Sequence, residues 1–139
     1  MGAPLSGLSI FICNRIVGNI PSHAVRRWVY RHIYQFRIGR GSTILMNVRF
    51  SGKRQVELGD HSVINSGCVI DNRAGVVIGR NVSISLGTAL ITSDHDPQSP
   101  VFRTRFGAIV IEDYVFIGAR ALVLPGVHLG RRAWLRREL

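Results

Sequence analysis

The stretch Ile78–Leu90 reads IGRNVSISLGTAL, and its aliphatics Ile78, Ile84 and Leu90 stand six residues apart. The spacing extends both ways: Ile38, Ile44, Leu58, Ile64 and Ile70 precede it, and Ile111, Ile117, Val123, Leu129 and Leu135 follow after a gap. A small or β-branched residue stands four positions after ten of these aliphatics: Ser42, Val48, Ser62, Cys68, Val82, Thr88, Val115, Ala121, Val127 and Ala133. A helix turns about 100° per residue, so every sixth side chain falls on a different side. One straight strand would demand apolar residues at every second position instead. Short strands joined by sharp corners, three to a coil, satisfy the period. The aliphatic then points inward, the small residue fits beside it at the narrow corner, and coils stack at about 4.8 Å. Ile38-Gly39, Leu58-Gly59 and Ile78-Gly79 recur every 20 residues and put glycine where the backbone is tight.

This double register resembles the hexapeptide-repeat acyltransferases, over about residues 38 to 130. The resemblance implies a left-handed parallel β-helix; the hand comes from the family, because ordinary crossovers are right-handed. The expected fold is therefore all-β, a left-handed parallel β-helix of hexapeptide repeats over residues 38–139, preceded by an N-terminal helical segment over residues 1–37. In that segment Pro21 and Ser22 predict a helix start with Ser22 as cap. Val25, Trp28, Val29, His32, Ile33 and Phe36 fall at helical spacing, with Arg26, Arg27, Arg31 and Arg37 beside them. Such a basic amphipathic helix suits two roles that can coexist: capping the open end of the repeat stack, and lying on a membrane surface.

A chain of 139 residues with 46% apolar content supports one folded unit. Its net charge of +10 suits nucleic acid, an anionic membrane surface or a phosphorylated ligand. Nucleic acid has only that charge in its favour, and no nucleic-acid partner is expected. Cys13 and Cys68 form neither a disulfide framework nor a zinc site, and Cys68 reads as a small core residue. No run approaches the ~18 apolar residues of a spanning helix, and no secretory signal is recognisable. The expected location is the cytoplasm, peripherally at the inner face of the membrane.

After Leu90 and Ile91 the rhythm fails, and TSDHDPQSPVFRTRFGA, residues 92–108, intervenes before it restarts at Ile109 and Ile111. An insertion of this kind leaves the coil as an extruded loop, placed at residues 94–108, and loops on rigid scaffolds are favoured sites for chemistry. His95 opens it, and imidazole can accept a proton near neutral pH. Asp94 and Asp96 flank it and could fix its tautomer.

The segment LITSDHDP is similar to that of sugar O-acetyltransferases of this family, and the resemblance implies that His95 is the general base. It also implies that Asn65, in INSGCVID, contacts the acceptor, with Asp71, Asp94 and Asp96 as further substrate-binding candidates. In FIGARALVLPGV, Gly118 and Ala119 match positions that let the pantetheine arm of acetyl-CoA approach the backbone, and Arg103 and Arg105 could pair with its phosphates or with an anionic sugar. The implied protein is a homotrimeric O-acetyltransferase that moves an acetyl group from acetyl-CoA to a sugar hydroxyl, in cell-surface polysaccharide synthesis, without a metal. Two other readings stand beside it. A zinc hydratase resembling the gamma-class carbonic anhydrases would use His61, His95 and His128. A non-catalytic scaffold would keep the fold alone, because family members continue for further coils after PGVHLG, whereas RRAWLRREL reads as a truncated ending.

Overall fold

The computed structural model describes residues 3–136; residues 1–2 and 137–139, the outermost ends of the two sequence-defined segments, lie outside the described residues. The first coil holds β1 (Arg37–Ile38), β2 (Thr43–Ile44) and β3 (Arg49–Phe50), and the second β4 (Val56–Leu58), β5 (Val63–Ile64) and β6 (Val69–Ile70). The third holds β7 (Val76–Ile78), β8 (Ser83–Ile84) and β9 (Ala89–Leu90). A detour through β10 (Ser93–His95) and β11 (Thr104–Phe106) comes next. The fourth coil follows as β12 (Ile109–Ile111), β13 (Phe116–Ile117) and β14 (Leu122–Val123), and the last as β15 (His128–Leu129) and β16 (Trp134–Leu135).

Equivalent strands stack into three parallel sheets, the faces of a prism: β1-β4-β7-β12-β15, β2-β5-β8-β13-β16 and β3-β6-β9-β14. Register follows the repeat, with Ile38 opposite Leu58, Leu58 opposite Ile78, and Ile78 opposite Ile111. The inward aliphatics from Ile38 to Val123 are buried, while Leu129 and Leu135 at the last coil are partly so. Val56, Val76 and Ile109 add a second inward row on the first face, where strands are a residue longer.

The small corner residues are selected by hydrogen bonding as well as by size. Ser42 and Ser62 are buried, yet each hydroxyl donates to a carbonyl of the coil above, Gly59 and Gly79 respectively, and accepts the N–H of Ser62 or Val82 at 3.0 Å. A buried hydroxyl satisfied in both senses adds specificity to the stack. The glycines after the inward aliphatics answer to backbone proximity: a Cβ on Gly59 would lie 2.6 Å from the carbonyl carbon and oxygen of Gly79. Because that neighbour is backbone and cannot rotate away, Gly59→Ala is expected to destabilise the protein by about 1–3 kcal/mol, the usual range for overpacking. Urea unfolding measures this, and a midpoint equal to the parent's would contradict the close stacking.

The N-terminal segment forms α1 (Ala3–Arg15), a 3-10 turn (Val17–Asn19) and α2 (His23–His32). Ser22 is the N-cap, its Oγ accepting the Val25 N–H at 3.3 Å. The docked face of α2 differs from the one expected from apolar spacing: Val25, Trp28 and Ile33 are exposed, whereas Arg26 and Tyr30 are buried. The reason lies at the open end of the first coil, whose carbonyls have no preceding coil to donate to them. Arg26 donates to Ile44 O at 3.2 and 3.0 Å and to Ile20 O, Arg27 to Ser42 O at 3.3 Å, and Arg31 to Ile38 O at 2.6 Å. On the third face the Asn14 amide imitates a strand neighbour, accepting from Phe50 N at 2.8 Å and donating to Phe50 O at 3.0 Å. Inside this cap Phe50 packs on Phe36 and Tyr30, with ring centroids 4.6 and 5.3 Å apart, and these aromatics close the end of the aliphatic core.

Candidate active site

The detour leaves the prism at the corner between the third and first faces, and it is more ordered than an extruded loop. β10 and β11 pair antiparallel, with Ser93 opposite Phe106, Asp94 opposite Arg105 and His95 opposite Thr104. The Gly107 N–H donates to Thr92 O at 2.8 Å and closes the base of the hairpin.

That base is fastened to the coil below through Asp71. Its Oδ2 accepts the Thr92 N–H at 3.2 Å and the Ser93 hydroxyl at 2.8 Å, and its Oδ1 accepts Arg73 Nε at 2.9 Å. The Thr92 hydroxyl donates to Asp71 O at 2.8 Å and accepts the Ala74 N–H at 3.1 Å. Burial alone would raise the Asp71 carboxyl, but hydrogen bonds from Arg73 and Ser93 outweigh it and hold the group well below the usual carboxylate range. A depressed folded-state pKa means that Asp71 stabilises the fold above its unfolded value of about 3.9 and loses that contribution only as pH falls further. Asp71→Asn is therefore expected to lower the melting temperature at neutral pH, with the gap to the parent narrowing below about pH 4. Melting curves across pH check this, and a gap independent of pH would show that the carboxylate charge is not what holds the hairpin.

The expected contact between His95 and a flanking aspartate is absent. Asp94 is turned to Arg105, which donates to its two carboxylate oxygens at 2.8 and 2.9 Å, and that pairing raises the Arg105 guanidinium further. Asp96 Oδ1 accepts the Gln98 N–H at 2.9 Å and its N–H donates to Arg103 O at 2.8 Å, which shapes the hairpin tip. The partner of His95 is Phe102 O, 3.0 Å from Nδ1, presented by a residue with left-handed backbone (φ 48°). A carbonyl can only accept, so Nδ1 carries a proton, and in the neutral ring Nε2 is the acceptor. The His95 side chain is exposed.

Asn65, Gly118 and Ala119 lie elsewhere, at the corner between the second and third faces, just after β5 and β13. Asn65 Nδ2 donates to Ile84 O at 3.1 Å. The Gly118 N–H is taken by Leu135 O at 2.7 Å and its carbonyl accepts the Thr88 hydroxyl at 3.1 Å, whereas Ala119 is exposed. One chain thus gathers His95, Asp71, Asp94, Asp96, Arg103 and Arg105 at one corner and leaves Asn65, Gly118 and Ala119 at another. Of the three histidines considered for zinc, His61 sits at the corner between the first and second faces and His128 on the first face beside Glu112. Among the described residues no three His, Cys, Asp or Glu side chains converge on a metal site. Burial pushes the Cys13 thiol up to about 12 and raises that of Cys68, so neither offers a thiolate nucleophile.

Residues 108–135 match the family model described as the hexapeptide repeat of succinyl-transferase. Over 93% of its length the chain superposes on a hexapeptide-repeat containing acetyltransferase from Vibrio cholerae, covering 74% of that protein at 25% identity with a TM-score of 0.84. The chain shares the hexapeptide-repeat fold of this acetyltransferase. The left hand of its coil comes with that fold. The same Vibrio cholerae acetyltransferase, solved with acetyl coenzyme A, matches 88% of the chain and 68% of its own length at 25% identity with a TM-score of 0.70. Nodulation protein L of Rhizobium meliloti (strain 1021) is 32% identical over 93 residues, 65% of this chain and 51% of that relative. The chain thus spans about half the length of this curated relative.

Proposed function

We propose that this hexapeptide-repeat protein is an O-acetyltransferase that moves an acetyl group from acetyl-CoA to a sugar hydroxyl in cell-surface polysaccharide synthesis. The observation that carries the reading is the hydrogen bond from His95 Nδ1 to Phe102 O, which leaves the exposed Nε2 ready to accept a proton. Nε2 takes the proton of the acceptor hydroxyl as its oxygen attacks the thioester carbonyl carbon. The carbon–sulfur bond then breaks, and the imidazolium returns the proton to the departing thiolate. The products are an O-acetyl sugar and coenzyme A, with no covalent acyl-enzyme.

Residues at separate corners of one chain favour a homotrimer, in which the His95 hairpin of one copy meets the Asn65, Gly118 and Ala119 corner of the next. Asn65 and Asp71, with Asp94 and Asp96, belong to the acceptor side of this reading. Ala119, whose exposed backbone is open to an extended ligand, takes the donor arm, while Gly118 keeps the corner narrow. Arg103 supplies positive charge for its phosphates, while Arg105, whose charge is matched by Asp94, holds the hairpin beside it. The relative solved with acetyl coenzyme A supports the donor, and the likeness of LITSDHDP to sugar O-acetyltransferases supports the acceptor class. The reading places the protein in the cytoplasm, with peripheral contact at the inner membrane face through the N-terminal helices. Thiol release from acetyl-CoA with a panel of sugars, together with the mass in solution, tests it. Failure to bind acetyl-CoA would leave a non-catalytic scaffold.

A further inference from the structure

The charge of the chain is distributed unevenly. Every Asp and Glu lies at Glu57 or beyond, so the first 56 residues carry nine Lys and Arg and no acidic side chain, and the remainder carries nine against eight. Almost the whole net charge therefore belongs to the cap and the first coil. The same end exposes apolar side chains. Leu8 and Phe11 on α1, Ile16 just after it, Val25 and Trp28 on α2 and Ile33 at its end all face outward, with Phe11 and Trp28 each 57% exposed. They are outward because α2 uses its arginines, and α1 its Asn14, to satisfy the open coil. Capping thus uses these polar groups with Tyr30 and Cys13, and leaves the other apolar side chains of both helices facing water, an unusual concentration for a water-facing surface.

We infer that this capping face docks on the surface of a bilayer bearing anionic headgroups. The inference extends the peripheral-contact part of the proposed function and does not depend on the chemistry of His95. Apolar side chains exposed on α1 and α2, together with exposed Arg15 and Arg37 at the same end of the chain, match both layers of such a surface, the acyl boundary and the headgroup phosphates. A second copy of the chain is a poor occupant, because two ends of the same strong positive charge repel. Contact is superficial: among the described residues no helix is long and apolar enough to cross a membrane. α1, with 13 residues, reaches only about 20 Å at ~1.5 Å per residue, against a hydrocarbon core of about 30 Å.

The test is co-sedimentation of the full chain with vesicles of phosphatidylcholine alone or mixed with phosphatidylglycerol, at low and high salt. The protein is expected to sediment with the mixed vesicles only, and to be released as salt screens the attraction. Arg15→Gln should weaken binding by about fivefold, the effect of one cation near an anionic surface. The double variant Phe11→Ser, Trp28→Ser should weaken it about tenfold or more through lost apolar burial. Both variants alter exposed side chains, so circular dichroism, mass in solution and thiol release with a soluble sugar should stay as in the parent. Failure to sediment with the mixed vesicles, or unchanged binding by the double variant, would overturn the inference. So would a change of oligomeric mass in the double variant, which would show the face to be covered by another copy. Vesicle binding without thiol release would uphold docking while removing the transferase reading.

Discussion

His95→Ala is expected to slow acetyl transfer from acetyl-CoA to a sugar acceptor by about 10²–10⁴-fold, the range typical of a positioned general base. The size follows from the geometry. Phe102 O accepts from Nδ1 and holds the ring, so in the neutral imidazole Nε2 is the nitrogen left to accept a proton. No other exposed side chain of the hairpin can replace it: Asp94 is committed to Arg105, and Asp96 to the turn at Gln98. Acetyl-CoA binding should survive the substitution, because in the proposed site the donor arm is held along the backbone at Ala119 and its phosphates by Arg103, not by the imidazole. Thiol release with equal protein concentrations, paired with donor binding, checks both halves. Equal rates in parent and variant would remove His95 from the mechanism, and lost donor binding would make its role structural.

The largest expected loss of stability comes from Arg26. Its guanidinium is buried without a carboxylate, and burial lowers its pKa, yet it is held by carbonyls that nothing else serves. Arg26→Met keeps much of the volume but leaves Ile44 O buried without a donor, at about 1–3 kcal/mol for an orphaned acceptor, and adds a smaller cost at the part-buried Ile20 O. Part of this is offset because a buried charge no longer has to be desolvated, so a net loss of about 2–4 kcal/mol is expected in urea unfolding. Arg26→Lys, with one compact donor group in place of a fork, should fall between variant and parent. Arg26→Met as stable as the parent would mean that the helical cap contributes little to the prism.

How much of this was readable from sequence depended on whether a residue's surroundings repeat. Ile84 has the same neighbours as Ile64 and Ile117, one coil below and above, so a simple period predicts its burial. Phe50 obeys the same period but is aromatic, and a search for aliphatics passes over it; its environment is the cap, which occurs once. On α2 the spacing revealed which residues share a side, but not which side docks. That was decided by the unserved carbonyls at Ile38, Ser42 and Ile44, which attract arginine more strongly than a leftover apolar surface attracts tryptophan. His95 stood out by its place in the break, while its partner did not, because a backbone carbonyl has no letter and the fold of the hairpin brings it near. Asp71 was visible only as a weak candidate; its grip on Thr92 and Ser93 depends on one coil lying directly beneath the next.

The fastening at Asp71 joins two storeys of the prism. The strands of the hairpin issue from the third coil, while the carboxylate that holds them belongs to the second. In a stack where each coil touches only its neighbours, disorder enters from the ends and moves inward. The His95 hairpin is tied to the middle of that column, so its shape outlasts fraying that starts at either end of the stack.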